Sequence, residues 1–150
     1  MSKNPFADSI DAFTLNFDKA SEETVRATAI KTWGAIIKDT PVDEGRARAN
    51  WFATGAKPSV RKTDSEDLSK DGANTALNAA VVVDKLKDWS VFTLTNNLPY
   101  IEKLEFGGYG DGPNTAGGYS RQAPEGMVRV NIARSSRLLE EEAKKRFKKL

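Results

Sequence analysis

The chemistry open to this chain is limited first by what it lacks: its 150 residues include no histidine and no cysteine. The commonest proton shuttle, the thiol nucleophile and the usual zinc ligands are therefore gone, leaving carboxylates, Lys, Tyr and Ser. Glu102 and Glu105 lie three apart and could pair, yet no partner signature of a glycosidase or a metal site accompanies them. The glycine-rich stretch 107–122 has no following Gly-Lys-Ser/Thr, so it is not the usual phosphate cradle. The expectation is a protein that is not an enzyme and needs no cofactor or metal.

Recognition chemistry remains. Tyr100, Tyr109 and Tyr119 combine apolar area with a hydrogen-bonding tip, which suits interface anchors. Glu102 and Glu105 are expected to project outward, where Arg46, Arg48 or Arg129 of a neighbouring subunit pairs with them. Such pairs set register more than affinity. Arg46 and Arg48 also sit beside Asp43 and Glu44, a pattern that more often makes a local ion-paired surface. The rival use of Arg46, Arg48, Arg121 and Arg129 is contact with nucleic acid, but a net charge of +2 is small for a duplex binder.

These groups need a frame. A chain of this length with 39% hydrophobic residues fits one globular domain. No segment approaches the roughly 20 apolar residues of a membrane span, and Met1 to Asn16 lacks the features of an export signal, so folding in the cytosol is expected. Phe6, Ile10, Phe13 and Phe17 recur at spacings of four, three and four, one face of a helix. Core packing is the ordinary fate of such a stripe, although three phenylalanines exceed what one small domain covers and suit a neighbouring subunit. Ser21-Glu22-Glu23 starts a new helix or continues the first, and Val25, Ala29, Trp33, Ile36 and Ile37 form a second apolar stripe ending at Thr40-Pro41.

A turn or one-turn helix at 43–48 leads to a strand from Ala49 to Thr54, and Lys57 to Gly72, with little apolar content, reads as a mobile excursion. Ala73 to Lys87 reads as a helix despite Val81-Val82-Val83, and Ser90 to Thr95 alternates as a strand. Asn96-Asn97-Leu98-Pro99 turns the chain into a short helix, Tyr100 to Phe106, which places Tyr100, Ile101, Leu104 and Phe106 toward one side. Residues 107–122 read as a second flexible excursion carrying Tyr109 and Tyr119, without local structure of its own. From Pro124 a helix runs to the end on a face of Val128, Ile132, Ser135, Leu139, Ala143, Phe147 and Leu150. Glu140, Glu141 and Glu142 precede Lys144, Lys145 and Arg146 by four, the favourable order for three ion pairs on a solvated helix. The expected fold is α+β, with long terminal helices and a central helix on a small, mainly antiparallel sheet. Two strands are marginal alone, so part of the 57–71 segment or a neighbour is expected to complete the sheet.

Three separated blocks carry a likeness. Thr40-Pro41-Val42-Asp43-Glu44-Gly45-Arg46-Ala47-Arg48-Ala49-Asn50-Trp51, then Thr95-Asn96-Asn97-Leu98-Pro99-Tyr100 with the helix end Glu105-Phe106-Gly107, then Gln122-Ala123-Pro124-Glu125-Gly126-Met127-Val128-Arg129, resemble the tail-completion or neck proteins of long-tailed bacteriophages. The resemblance covers most of the chain except roughly Lys57 to Ala73. It implies a structural virion protein at the head-proximal end of the tail, present in the host cytoplasm before assembly. Its partners would be copies of itself in a ring, possibly a hexamer, the tail terminator and connector, and genome DNA passing through the lumen without sequence-specific binding. No membrane is implied. The subunit contact would be the short helix and glycine arm of one copy received by the next, with Tyr100, Glu102, Glu105, Phe106, Tyr109, Tyr119, Arg46, Arg48 and Arg129 as its candidate residues.

Overall fold

The computed structural model describes residues 4–150. The first helix, α1 (Pro5–Asp39), is a single unbroken rod of 35 residues: Ser21-Glu22-Glu23 does not interrupt it. Asn4 caps its start by accepting from the amides of Phe6 and Ala7, and Pro5 fits the first turn, where its missing N–H costs nothing. Thr40 closes the other end, its hydroxyl donating to Ile36 O at 2.7 Å. Beyond it come α2 (Arg46–Ala49), β1 (Phe52–Thr54), a single 3₁₀ turn at Lys70–Gly72, α3 (Ala73–Lys85), β2 (Thr93–Thr95), α4 (Ile101–Phe106), β3 (Thr115–Ala116), β4 (Tyr119–Ser120) and α5 (Val128–Phe147). The architecture is α+β, with the helices dominant.

The strands are shorter than the sequence suggests. Residues 46–49 coil into α2 before the strand begins, and only Thr93–Thr95 of the alternating run is paired, antiparallel, with Phe52 opposite Thr95 and Thr54 opposite Thr93. Neither segment 57–71 nor any other described part of the chain adds a strand to this pair. Ala53 and Leu94 face the core, which gathers Ile36 and Ile37 of α1, Ala47 and Trp51, Ala79 of α3, Leu98, Leu104 and Met127. Trp51 enters it with its indole N–H satisfied, donating to Thr40 Oγ1 at 2.9 Å.

Helix α1 packs on both α5 and α3. The buried side of α1 keeps only the end of the expected stripe: Ile36 and Ile37 are buried, with Ala20, Thr24 and Thr32, while Val25, Ala29 and Trp33 are only half-buried. Small side chains allow close approach of the helices, and the threonines Thr24 and Thr28 return their hydroxyls to carbonyls one turn back. Helix α5 departs further from expectation. Ile132, Leu139 and Leu150 are exposed, and the residues it buries are Asn131 and Glu142. Glu142, 3% exposed, receives Lys31 of α1 together with Lys145 (3.0 Å) and Arg146 (2.5 Å) of its own helix. Of the three expected i,i+4 pairs only Glu142–Arg146 forms, and Glu141 pairs backwards with Arg137 instead. The helix is anchored to α1 by a buried carboxylate rather than standing free in solvent.

Segment 57–72, expected to be a mobile excursion, is fastened at three points. Asn50, fully buried, donates through Nδ2 to Thr63 O (3.0 Å) and accepts from Thr63 N (2.8 Å). Asn97 donates to the carbonyls of Ser59 and Arg61. Asp67 N donates to Gly45 O at 3.0 Å, where Gly45 has φ +83° and an added Cβ would stand 2.6 Å from Asp67 O. Asp67 then caps α3, its carboxylate accepting from the amides of Ser69 and Thr75 (both 2.9 Å) and from both hydroxyls.

Lys31 first and Arg146 next draw the Glu142 carboxyl down from its ordinary 4.5 to about 2. For Asp67, burial pushes upward, but the hydrogen bonds from Ser69 and Thr75 outweigh it and bring the group to about 2. Both are depressed in the folded state, so the stability they confer is fully present above the unfolded pKa and is lost as pH falls toward 2, on the order of 2 kcal/mol for each group. Thermal melts between pH 5 and pH 2 are expected to show a steep acid-side loss, and Glu142→Gln is expected to be less stable at pH 7 while its melting temperature falls less over that interval.

Candidate assembly interface

The three resembling blocks converge. Gln122 spans the gap between the first and the last by a two-way amide contact, Oε1 accepting from Val42 N and Nε2 donating to Val42 O, both at 2.8 Å. Asn96 of the second donates to Ala47 O of the first at 2.9 Å. Between the blocks lies an open cleft of about 580 Å³, lined by Val42 to Ala47, Tyr100, Leu104, Tyr109, Ser120 and Gln122. Arg46, Tyr100 and Tyr109, all expected at the interface, meet here. Burial raises the Tyr100 phenol above its usual pKa, so it stays a neutral donor at physiological pH. Tyr109 packs against the core and has the Lys103 ammonium over its ring, 5.5 Å from the centroid.

Glu105 is not where the sequence placed it. It is 5% exposed and points inward, beneath the start of α5. Its Oε2 accepts from the amides of Met127 (2.8 Å) and Val128 (2.7 Å), and Oε1 from the amide and the Nε of Arg129 (both 2.9 Å). These amides are among the first N–H groups of a helix, which have no partner within it, and the helix dipole favours an anion there. Burial is the largest influence on this carboxyl and pushes its pKa up, but the bonds from Val128, Arg129 and Met127 and the guanidinium together hold it below its ordinary value. Gly126 makes room: at φ +79°, a Cβ would lie 2.5 Å from Glu105 O and 2.7 Å from Oε2.

The expected pairing of Glu105 with an arginine of a neighbour is therefore made within the chain. Arg129 returns a second bond to Glu105 O at 2.7 Å and lies over the Phe106 ring, 4.7 Å from its centroid. Arg48 donates to Lys38 O (2.7 Å) and Thr40 O (3.2 Å), closing the C-terminal end of α1, and Arg46 reaches Thr63 O and Asp64. Three of the four arginines that a nucleic-acid surface would need are thus engaged internally. Glu102 is exposed, and Phe106 is 61% exposed beside the Arg129 guanidinium. Tyr119 and Arg129 line a shallow depression with Pro124, Glu125 and Val130, separate from the cleft.

The glycine-rich arm is not without structure. Thr115–Ala116 and Tyr119–Ser120 form a small hairpin across Gly117 and Gly118, both at positive φ (+60° and +88°), the requirement of a two-residue turn that follows strand twist. The amides of Gly108 and Tyr109 donate to Gly118 O, and the Tyr119 ring rests on Gly107, where a Cβ would come within 3.1 Å. The hairpin signal was present in Ala116-Gly117-Gly118-Tyr119, flanked by residues that accept strand conformation. Gln122 and Asn50 had no comparable signal, because they bond backbone atoms of Val42 and Thr63, outside their own local segments.

Among the described residues, no group of three or more acidic side chains gathers in a geometry that could hold a metal ion, and no helix is long and apolar enough to cross a membrane. No protein-family model, curated protein or solved structure matches the chain.

Removing Glu105 leaves three amides and a guanidinium without their acceptor, so Glu105→Ala is expected to lose about 3 kcal/mol of stability. At the scale of this chain that is a fall in melting temperature of about 10 °C, measurable by differential scanning calorimetry. Glu102→Lys, at an exposed position on the same helix, is expected to leave the melting temperature unchanged.

Proposed function

We propose that the chain is a structural virion protein of a long-tailed bacteriophage, acting at the head-proximal end of the tail as a ring of identical subunits that completes the tail and joins it to the head connector. The observation that carries this reading is the convergence of the three resembling blocks on one cleft, held in register by Gln122–Val42, Asn96–Ala47 and Glu105 under α5. Residues far apart in sequence that share a core and also line one open, half-apolar cleft suit a surface that receives another protein. The cleft carries aromatic groups with polar tips, Tyr100 and Tyr109, and one guanidinium, Arg46, the residue types that anchor interfaces. Glu102 and Phe106 project from α4 on the exposed side. A head-to-tail contact, with α4 and the hairpin of one subunit seated in the cleft region of the next, is of the kind that closes rings. In this arrangement Glu102 takes the register-setting role, because Glu105 is occupied within its own chain.

Deleting the gene from a phage that carries it is expected to leave separate heads and tails in electron micrographs, restored to joined particles by the wild-type chain supplied in trans. Complementation with Glu102→Lys is expected to restore far fewer joined particles although the purified variant melts normally. Normal virions from the deletion would overturn the reading.

A further inference from the structure

The first third of α1 stands clear of the rest of the molecule. Every residue from Asn4 to Lys19 is exposed. Helices α1 and α5 run antiparallel, since Asp39 meets Asn131, Glu23 meets Arg146 and Phe17 meets Phe147, whose rings are 5.2 Å apart and edge to face. Helix α5 ends at Phe147, and from Phe17 back to Phe6 the first helix runs on alone for roughly 16 Å at 1.5 Å per residue.

This projecting part continues the face that α5 covers elsewhere. Phe6, Ile10, Phe13, Phe17, Ala20 and Thr24 lie along one line of the helix, at the alternating spacing of four and three residues that forms a helix-pairing seam. Ala20 and Thr24 are buried, whereas Phe6 is 74% and Phe13 54% exposed. The seam is built for an antiparallel helix along its whole length, and α5 stops short of its outer part.

We infer that the missing helix is the same segment of a second copy, so that two chains associate about a two-fold axis through their projecting α1 ends. The spacing makes the stripe its own complement: four, three, four reads the same in both directions, so Phe6 of one copy faces Phe17 of the other and Ile10 faces Phe13. The partner helix then occupies the place that α5 leaves empty and brings its N-terminal end to the end of α5. The charges agree. The entering end carries Asp8 and Asp11, and α5 finishes with Lys144, Lys145, Lys148 and Lys149, so opposite fields meet and steer the approach. The positive end of one helix dipole also meets the negative end of the other.

The stripe exposes roughly 500 Å² in each copy, so pairing removes roughly 1,000 Å² in all, the low end of specific interfaces. An interface this small is expected to come apart on dilution. It uses none of the cleft residues and does not depend on the reading of the protein as a tail component.

Sedimentation equilibrium of the wild-type chain at tens of micromolar tests the inference, with an expected mass of twice 16.4 kDa. Phe13→Asp, at an exposed position, is expected to sediment as a monomer with an unchanged melting temperature. Because the chain has no cysteine of its own, orientation can be read by oxidative cross-linking. Mixed Phe6→Cys and Phe17→Cys chains are expected to form a covalent dimer, and Phe6→Cys alone is not. A monomeric wild-type chain, an assembly that survives Phe13→Asp, or cross-linking of Phe6→Cys alone as efficient as that of the mixture would each overturn it.

Discussion

The start of α5 presents three amides that no residue of the helix can satisfy, and Glu105 satisfies them from beneath. Much else follows from this contact. It draws α4 against the start of α5, so Leu104 and Met127 enter the same core. It requires Gly126, because any side chain there would strike the Glu105 backbone and carboxylate. It also orients Arg129 over Phe106, which fixes the outer surface of the same corner. One buried carboxylate thereby fixes the relation between the second and third blocks of the resemblance, and Gln122 relates the third to the first.

The same solution recurs at other helix ends. Asp67 closes the start of α3, and Arg26 closes its C-terminal end by donating to the carbonyls of Val83 and Leu86. Arg48 closes the C-terminal end of α1. Each anion lies at a helix N-terminus and each cation at a C-terminus, the arrangement that the helix dipole favours. A chain with short strands and a modest apolar core uses its charged residues to join helices to loops, so many of them have an internal role even though the composition reads as that of a polar surface.

The coarse fold was legible because it depends on periodicity. Both terminal helices, the central helix after Gly72, the turn at Asn96 to Pro99 and the antiparallel pairing class all follow from local spacing and turn residues. What was not legible depends on partners distant in sequence. Glu105 occupies a position on α4 that spacing alone assigns to solvent, and its burial is decided by amides more than twenty residues later. Glu142 looks like one of three equivalent glutamates, and Lys31, 111 residues away, singles it out. Segment 57–72 has too little apolar content to suggest order, and it is held instead by the side-chain amides of Asn50 and Asn97 and the backbone of Gly45. Of the candidate interface residues, Arg46, Tyr100 and Tyr109 line one cleft, while Arg48 and Glu105 bond within the chain at helix ends; a charge that caps a helix cannot be told from one that meets a partner without knowing where the helix end lies.

The packing of α1 against α5 joins the two ends of the described chain, and Ile36 and Ile37 share a core with Met127, ninety residues later. Helix α1 is made well before α5. Until α5 follows, the side of α1 that it covers lacks its partner, and Lys31 has not met Glu142. Closing the fold therefore requires a search between segments far apart in sequence, which slows folding. During translation the long first helix is the part of the nascent chain that a chaperone would meet.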